Sequence, residues 1–353
     1  MKVVRDLSVT SLHSGGAAVP WYGAWASPLN SVDPELVLDF AAGVYGADGV
    51  RDSLSNTLSL ARNSSATHID DLGNIATAPV NTLRIEHDPN SLAPRGLLLE
   101  SASTNLIVNS DTPSNQTITL AATDHVLSFY GTGTVTATGV HTGTYVGSGA
   151  FPDRTDIVFT PTAGDLTLTF SGSISYAQLE EGTVASSYIP STATAGTRDE
   201  DITTMALGSW FSATEGTLVF SGAINEASAN DRLVEIEAGD ASTRLSILWN
   251  TVLGKPQFQV WDGGSLQAVI APSGPAVPLG DDFRVAIAYS ANDFAISLNG
   301  SAPALDTVGT MPAGLVTLRL GRSIWGAQGL TLTESVVYYP SRLSDAEVQA
   351  LSA

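Results

Sequence analysis

The segment QFQVWDGG puts Gln257, Gln259 and Trp261 on one side of an extended chain and Phe258 and Val260 on the other, because strand side chains alternate. An indole beside two amides on the polar side of a strand suits a sugar site. The flat ring lies against the C–H face of a pyranose, and the amides hydrogen-bond its hydroxyls. The competing reading is an indole covered by a loop or a second subunit. Trp325, in the Gly-bounded loop GRSIWGAQG, is a second candidate, weighed against loop packing or an oligomer contact. Trp249 differs: in RLSILWN it shares a side with Leu245 and Ile247 and reads as core.

The run Glu235-Ile236-Glu237-Ala238-Gly239-Asp240 carries acid chemistry of another kind. Residues i and i+2 of a strand lie about 6.5–7 Å apart on one face, a spacing at which two carboxylates can divide acid and nucleophile roles. The third acid, Asp240, follows Gly239 in a turn. A solvated strand face is the simpler reading, and no catalytic residue is assigned. The five histidines (13, 68, 87, 125 and 141) lack ligand spacing among themselves, and His87, between Glu86 and Asp88, reads as a surface hairpin. Oxygens from Asn225 to Asp231 and from Asp281-Asp282 are the only candidates for calcium, which needs six to eight of them. No cofactor is otherwise expected. Gly131-Thr132-Gly133 lacks the third glycine of a dinucleotide site.

The elements that must hold these residues are strands. The chain has 353 residues, 43% hydrophobic but only 14% charged; Ser, Thr, Ala and Gly fill the difference, a composition suited to β-rich modules. It has no cysteine, which excludes disulfides, thiol nucleophiles and cysteine-based zinc sites. A formal charge of −20 repels phosphate backbones, so no nucleic-acid partner is expected. No apolar run is long enough to insert in a membrane, and MKVVRDLSVTSLHSGG lacks the apolar region of a signal peptide.

The pattern predicts an all-β chain of two antiparallel β-sandwich (jelly-roll) domains, an irregular N-terminal segment and one short C-terminal helix. Residues 1–34 are irregular, and Trp21, Tyr22 and Trp25 read as anchors on a neighbouring subunit or docking protein, against packing within the chain. Residues 35–195 form a sandwich preceded by a hairpin region, in which Asp71-Leu72-Gly73-Asn74 turns a hairpin and Leu97, Leu98 and Leu99 mark a strand buried on both faces. SYIPSTATAGTRDEDIT reads as a linker with a solvated acid cluster, Asp199-Glu200-Asp201. Residues 205–353 supply nine further strands, and Ser344 and Glu347 stand at capping-box spacing ahead of the only strong helix.

Several phrases carry a family resemblance. LDFAAGVYG, the stretch from SATHIDDLGNIATAPVNTLRIEHDP into GLLLESASTNLIVNS, and YAQLEEGTVASSYIPSTATAGTRDED resemble the carbohydrate-binding-like region of tailed-phage fibre proteins, found in alphaproteobacterial phages, prophages and gene transfer agents. The block from Gly216 to Ala353, down to its closing YYPSRLSDAEVQAL, resembles the concanavalin A-like (laminin G-type) lectin sandwich often fused to it. The resemblance covers most of the chain. It implies a virion fibre or spike protein, on tail or capsid (head), that binds host surface polysaccharide and acts as a homo-oligomer, a trimer foremost. Two alternatives stand beside it. One is a decoration or assembly protein that touches only other virion proteins. The other is a depolymerase, because the acid run loosely resembles the acid-rich strand of glycoside hydrolases on this sandwich; here the middle acid is Glu rather than Asp and the third is displaced.

Overall fold

The computed structural model describes residues 32–227, 231–326 and 328–353. Trp21, Tyr22 and Trp25 lie outside them. Among the described residues the protein is all-β, with 28 strands in antiparallel sheets and two short helices.

The larger sandwich stacks two sheets. The back sheet runs Ala304–Asp306, Asp293–Leu298, Asp282–Ser290, Glu215–Glu226, Leu330–Tyr339, Leu36–Asp39, Val44–Ala47, Val50–Asp52. The front sheet runs Ser265–Ile270, Lys255–Asp262, Arg244–Asn250, Arg232–Glu237, Thr317–Leu320, Ile202–Ala206, Ser59–Ala61. All nine strands expected after residue 205 are present, and the short strand Ala304–Asp306 is added to them.

Alternation decides what lies between the sheets. Ile236, Leu245, Ile247, Trp249, Phe258 and Val260 point back, while Phe220, Ile287, Val336 and Tyr338 point forward, and all are buried in one core. On the same back-sheet strands Val219, Ala286, Val337 and Tyr339 point outward, where the C-terminal helix Asp345–Leu351 covers them with Val348 and Leu351. Its N-terminus carries the expected capping box, with the Glu347 side chain accepting the Ser344 N–H at 2.8 Å.

The smaller sandwich packs a four-stranded sheet (Gln116–Leu120, Gly164–Ser171, Thr134–Gly139, Gly143–Val146) on a three-stranded one (Thr155–Phe159, His125–Tyr130, Ser175–Glu181). Leu166 and Leu168 are buried in its core, with Phe170 against them, as their spacing predicts.

The chain path departs from a simple division at 35–195 and 205–353. Leu36–Asp39 pairs with Leu330–Tyr339 in the back sheet, Leu36 opposite Tyr338, and Ser59–Ala61 closes the front sheet beside Ile202–Ala206. Pro94–Leu99 extends the back sheet further along Leu330–Tyr339, which explains why Leu97, Leu98 and Leu99 are all buried. The smaller sandwich is thus inserted within the larger one.

Residues 199–201 are not a solvated linker cluster. Asp201 is buried and accepts from two buried arginines, Arg62 at 2.8 Å and Arg84 at 2.6 Å. Glu100 accepts from Arg84 at 2.7 Å and lies 3.3 Å from Arg198. Burial alone would raise the Glu100 carboxyl, but Arg198 and Arg84 override it and hold it at about 2. Asp199 and Glu200 are partly exposed, and Glu200 pairs with Arg322 at 2.9 Å.

Candidate functional site

The outer face of the front sheet is built by the strands that alternate inward to make the core. Register sets its rows: Val269, Gln259, Ser246, Glu235 and Arg319 lie across successive strands in one, and Leu266, Trp261, Arg244 and Glu237 in the next. Gln257, Gln259 and Trp261 project together from Lys255–Asp262, half-buried, while Phe258 and Val260 are fully buried. Their polar atoms form a directional chain. The Trp261 indole N–H donates to the Gln259 amide oxygen, and the Gln259 amide donates to the Gln257 oxygen, both at 3.1 Å. The ring and its two amides are therefore held in fixed relative positions. Leu266 and Val269, 45% and 44% exposed, extend the apolar surface beside them.

Trp325, remote in sequence, reaches the same face. The Arg244 guanidinium carbon lies 4.9 Å from the Trp261 ring centroid and 4.6 Å from that of Trp325. One planar cation thus braces two indoles, an arrangement whose attraction grows as water is excluded. Arg244 itself is 3% exposed, whereas Trp325 is 65% exposed and presents a flat apolar surface to solvent. The strand pattern offered no sign of Arg244, because an arginine opposite a tryptophan on a polar face reads as surface charge.

The acid pair holds this assembly. Glu235 and Glu237 are fully buried rather than a solvated strand face. Glu235 accepts from Arg232 at 3.1 Å, lies 3.8 Å from Arg244, and accepts the backbone N–H of Ile324 at 2.8 Å. Glu237 pairs with Arg319 at 3.1 Å and accepts the Gly239 N–H. A carboxylate buried under a loop and matched by arginines is a structural counter-ion. Glu235 therefore pins the loop that carries Trp325. That loop leaves the sheet at Gly321, whose φ of +67° favours glycine and where a Cβ would meet the Leu99 side chain at 2.6 Å.

Other candidates do not converge. Among the described residues, no three His, Asp or Glu side chains come together as a metal site; the calcium run from Asn225 to Asp231 is described only in part. Trp249 is buried, as its spacing predicts. His87 is half-buried rather than on a surface hairpin, with Nδ1 3.1 Å from the Ile85 carbonyl oxygen and 3.3 Å from that of Ile69.

No protein-family model matches the chain, and no curated protein matches it by sequence. Among solved structures, the CBM40 domain of the Ruminococcus gnavus IT-sialidase, bound to alpha2,3 sialyllactose, is similar at 18% identity and a TM-score of 0.34, over 40% of this chain and 84% of that one. Domain 4 of the Geobacillus stearothermophilus arabinanase AbnA, in complex with arabinotriose, is similar at 14% identity and a TM-score of 0.34, over 49% of this chain and 83% of that one. The NanB sialidase of Streptococcus pneumoniae is similar at 16% identity and a TM-score of 0.34, over 41% of this chain and 25% of that one. Similarity at this level assigns this chain neither a family nor a ligand.

Proposed function

We propose that the protein is a glycan-recognition protein that binds polysaccharide on the outer face of its front sheet. One observation carries this reading: Trp325 and Trp261 both pack on Arg244 beside the Gln257–Gln259 amide chain. Sugar recognition needs an apolar plate with hydrogen-bonding groups along one edge, positioned before the ligand arrives. The guanidinium supplies that rigidity. The exposed indole of Trp325 is the plate, and Gln257 and Gln259 are the edge.

In this reading the chain serves a virion as a fibre or spike subunit, a role supported by the resemblance of its earlier phrases to tailed-phage fibre proteins and of its C-terminal block to the lectin sandwich often fused to them. Residues 1–34, with Trp21, Tyr22 and Trp25, attach it to other virion proteins or assemble a homotrimer. Single lectin sites are weak, so several copies per spike would act together through effective concentration. Host surface polysaccharide is the partner, and recognition proceeds without turnover, since Glu235 and Glu237 are both committed to arginines.

The test is glycan-array and whole-cell binding by the full chain, alongside Trp325→Ala and Trp261→Ala. Binding should weaken about ten-fold or more in each variant, the loss expected of one stacking contact. Cell binding that survives both substitutions would remove the site from this face. An array with no binding at all would favour a decoration or assembly protein. Release of reducing ends from host polysaccharide, abolished by Glu235→Gln, would establish the depolymerase reading instead; no release is expected.

A further inference from the structure

The larger sandwich is open along the side where its sheets end in Val50–Asp52 (back) and Ser59–Ala61 (front). A helix of one turn, Leu54–Thr57, joins these two strands, and a groove lies on each side of it. One, of about 520 Å³, is walled by Ala47 and Val50 of the back sheet and by Met205 and Ala206 of the front sheet. The other, of about 570 Å³, is walled by Leu54, Leu58, Leu60 and Leu83. Ser59 lines both.

The walls are core surface left open. Leu58 is buried in the main core, and Ala47, Leu54, Leu83 and Met205 pack against that core while staying partly exposed. Val50 is 65% exposed. On a chain of net charge −20, Asp52 is the one charged residue among the described residues that line the grooves. Its carboxylate already accepts the Ser53 N–H at 2.7 Å and the Asn56 amide at 2.9 Å. Apolar, uncharged grooves of this size suit an uncharged guest that brings large rings.

The chain carries such a guest just ahead of the described residues. No residue from Ser14 to Val32 is charged, and Trp21, Tyr22 and Trp25 fall between Pro20 and Pro28. Proline fixes its own φ and pushes the preceding residue toward extended backbone, which lowers the entropy lost on docking. The tether also begins beside the grooves. Glu35 accepts the Asp48 N–H at 2.9 Å, next to Ala47 in the groove wall. Trp25 stands ten positions before Glu35, a reach of up to about 33–36 Å. Leu36 lies two strand spacings from Val50, through Ala47, or about 10 Å. We propose that the Trp21–Trp25 segment seats its rings in these grooves of its own chain. A short tether holds its cargo at a millimolar local concentration, so in dilute solution the chain's own segment outcompetes that of a second copy. In an assembled spike the identical groove of a neighbour takes the same segment by exchange, which fits the role given above to residues 1–34; docking in the isolated subunit does not depend on it.

The experiment uses the full chain, which has no cysteine of its own. Nitroxides on Ser27→Cys and Val80→Cys, the latter an exposed position outside both grooves, report the distance from segment to groove by pulsed electron paramagnetic resonance. A narrow distribution is expected, and it should persist when labelled chain is diluted into excess unlabelled chain. Trp21→Ala/Trp25→Ala should broaden it and lower the Tm. So should Ser59→Arg, which sets a bulky charge at an exposed position shared by the two grooves. If Ser59→Arg folds poorly by circular dichroism, Val50→Arg replaces it. A broad distribution in the labelled parent overturns the proposal, as does one that neither substitution changes. A narrow distance that vanishes on dilution gives the groove to a second copy and overturns it too. Glycan binding on the front face should survive Ser59→Arg, so failure of that site and failure of this one are told apart.

Discussion

Arg84 and Asp201, 117 positions apart, meet in a 2.6 Å ion pair with neither side chain more than 1% exposed. Asp201 also accepts from Arg62, and Arg84 donates to Glu100. This buried network ties residues 62–100 to residues 198–201, so the two sandwiches share a charged hub where a flexible link was expected. Such a cluster is costly to desolvate and stabilises only while every member is present.

Asp201→Asn should therefore destabilise the protein by about 3–5 kcal/mol, because it strands Arg62 without its counter-ion and leaves Arg84 to share Glu100 with Arg198. Glu200→Gln, which removes a partly exposed partner of Arg322, should cost no more than about 1 kcal/mol. Urea denaturation of both variants checks the contrast. Equal effects would mean that the hub contributes no more than a surface pair.

The fragment 205–353 should not fold as an independent sandwich. It lacks Leu36–Asp39 and Pro94–Leu99, both of which pair with Leu330–Tyr339, and also residues 202–204, whose Thr203 hydroxyl bonds the Leu320 backbone. Without them a hydrogen-bonding edge and the core contacts of Leu36, Leu38, Leu97 and Leu99 are lost. Circular dichroism and size-exclusion chromatography should report aggregation or disorder. A monodisperse, cooperatively melting fragment would refute this.

Strand identity was legible in the sequence because period-two patterning is local. Phe258 and Val260 alternate with Gln257, Gln259 and Trp261, and the structure keeps that order. The Ser344–Glu347 cap was legible for the same reason. What could not be read was long-range pairing. Nothing in LDFAAGVYG announces that Leu36 lies opposite Tyr338, since a buried strand has the same composition in either sandwich. The acids misled for a related reason: Asp201 and Glu237 look solvated until Arg62 and Arg319 arrive from distant segments, and Glu235, paired with nearby Arg232, until the loop at Ile324 closes over it. On the front face, Trp261 and the two glutamines were visible as a pattern, but the stack on Arg244 depends on a loop more than sixty residues further on.

Arg244 offers a sharper test of the front face than either tryptophan. Arg244→Met keeps the length and apolar packing of the side chain but removes the planar cation. Two stacked contacts of about 0.5–2 kcal/mol each would be weakened. Glu235 would keep Arg232 at 3.1 Å. Trp325 should then become more mobile, with greater quenching of its fluorescence by acrylamide, and glycan affinity should fall about ten-fold. Arg244→Lys should rescue little, since an ammonium lacks the planar surface with which a guanidinium packs on aromatic rings. Full rescue by lysine would mean that charge alone matters.

Glu86 gives the protein a dependence on pH that can be assigned to one side chain. Burial, opposed by the hydrogen bond from Ile69, raises its carboxyl from 4.5 to about 7; Glu100, Arg84 and Arg95 lie near enough to contribute. Its folded value exceeds its unfolded one, so between pH 4.5 and 7 the folded state holds a proton that the unfolded chain has released. Stability therefore falls as pH rises through that window. The loss amounts to about 3 kcal/mol, since a tenfold change in proton affinity corresponds to about 1.4 kcal/mol, and it is complete above the folded value. Glu86→Gln cannot ionise and keeps an acceptor for the Ile69 N–H. Its Tm should match that of the parent near pH 4.5 and exceed it increasingly up to pH 8. Parallel Tm curves over that range would show that Glu86 is already ionised at low pH.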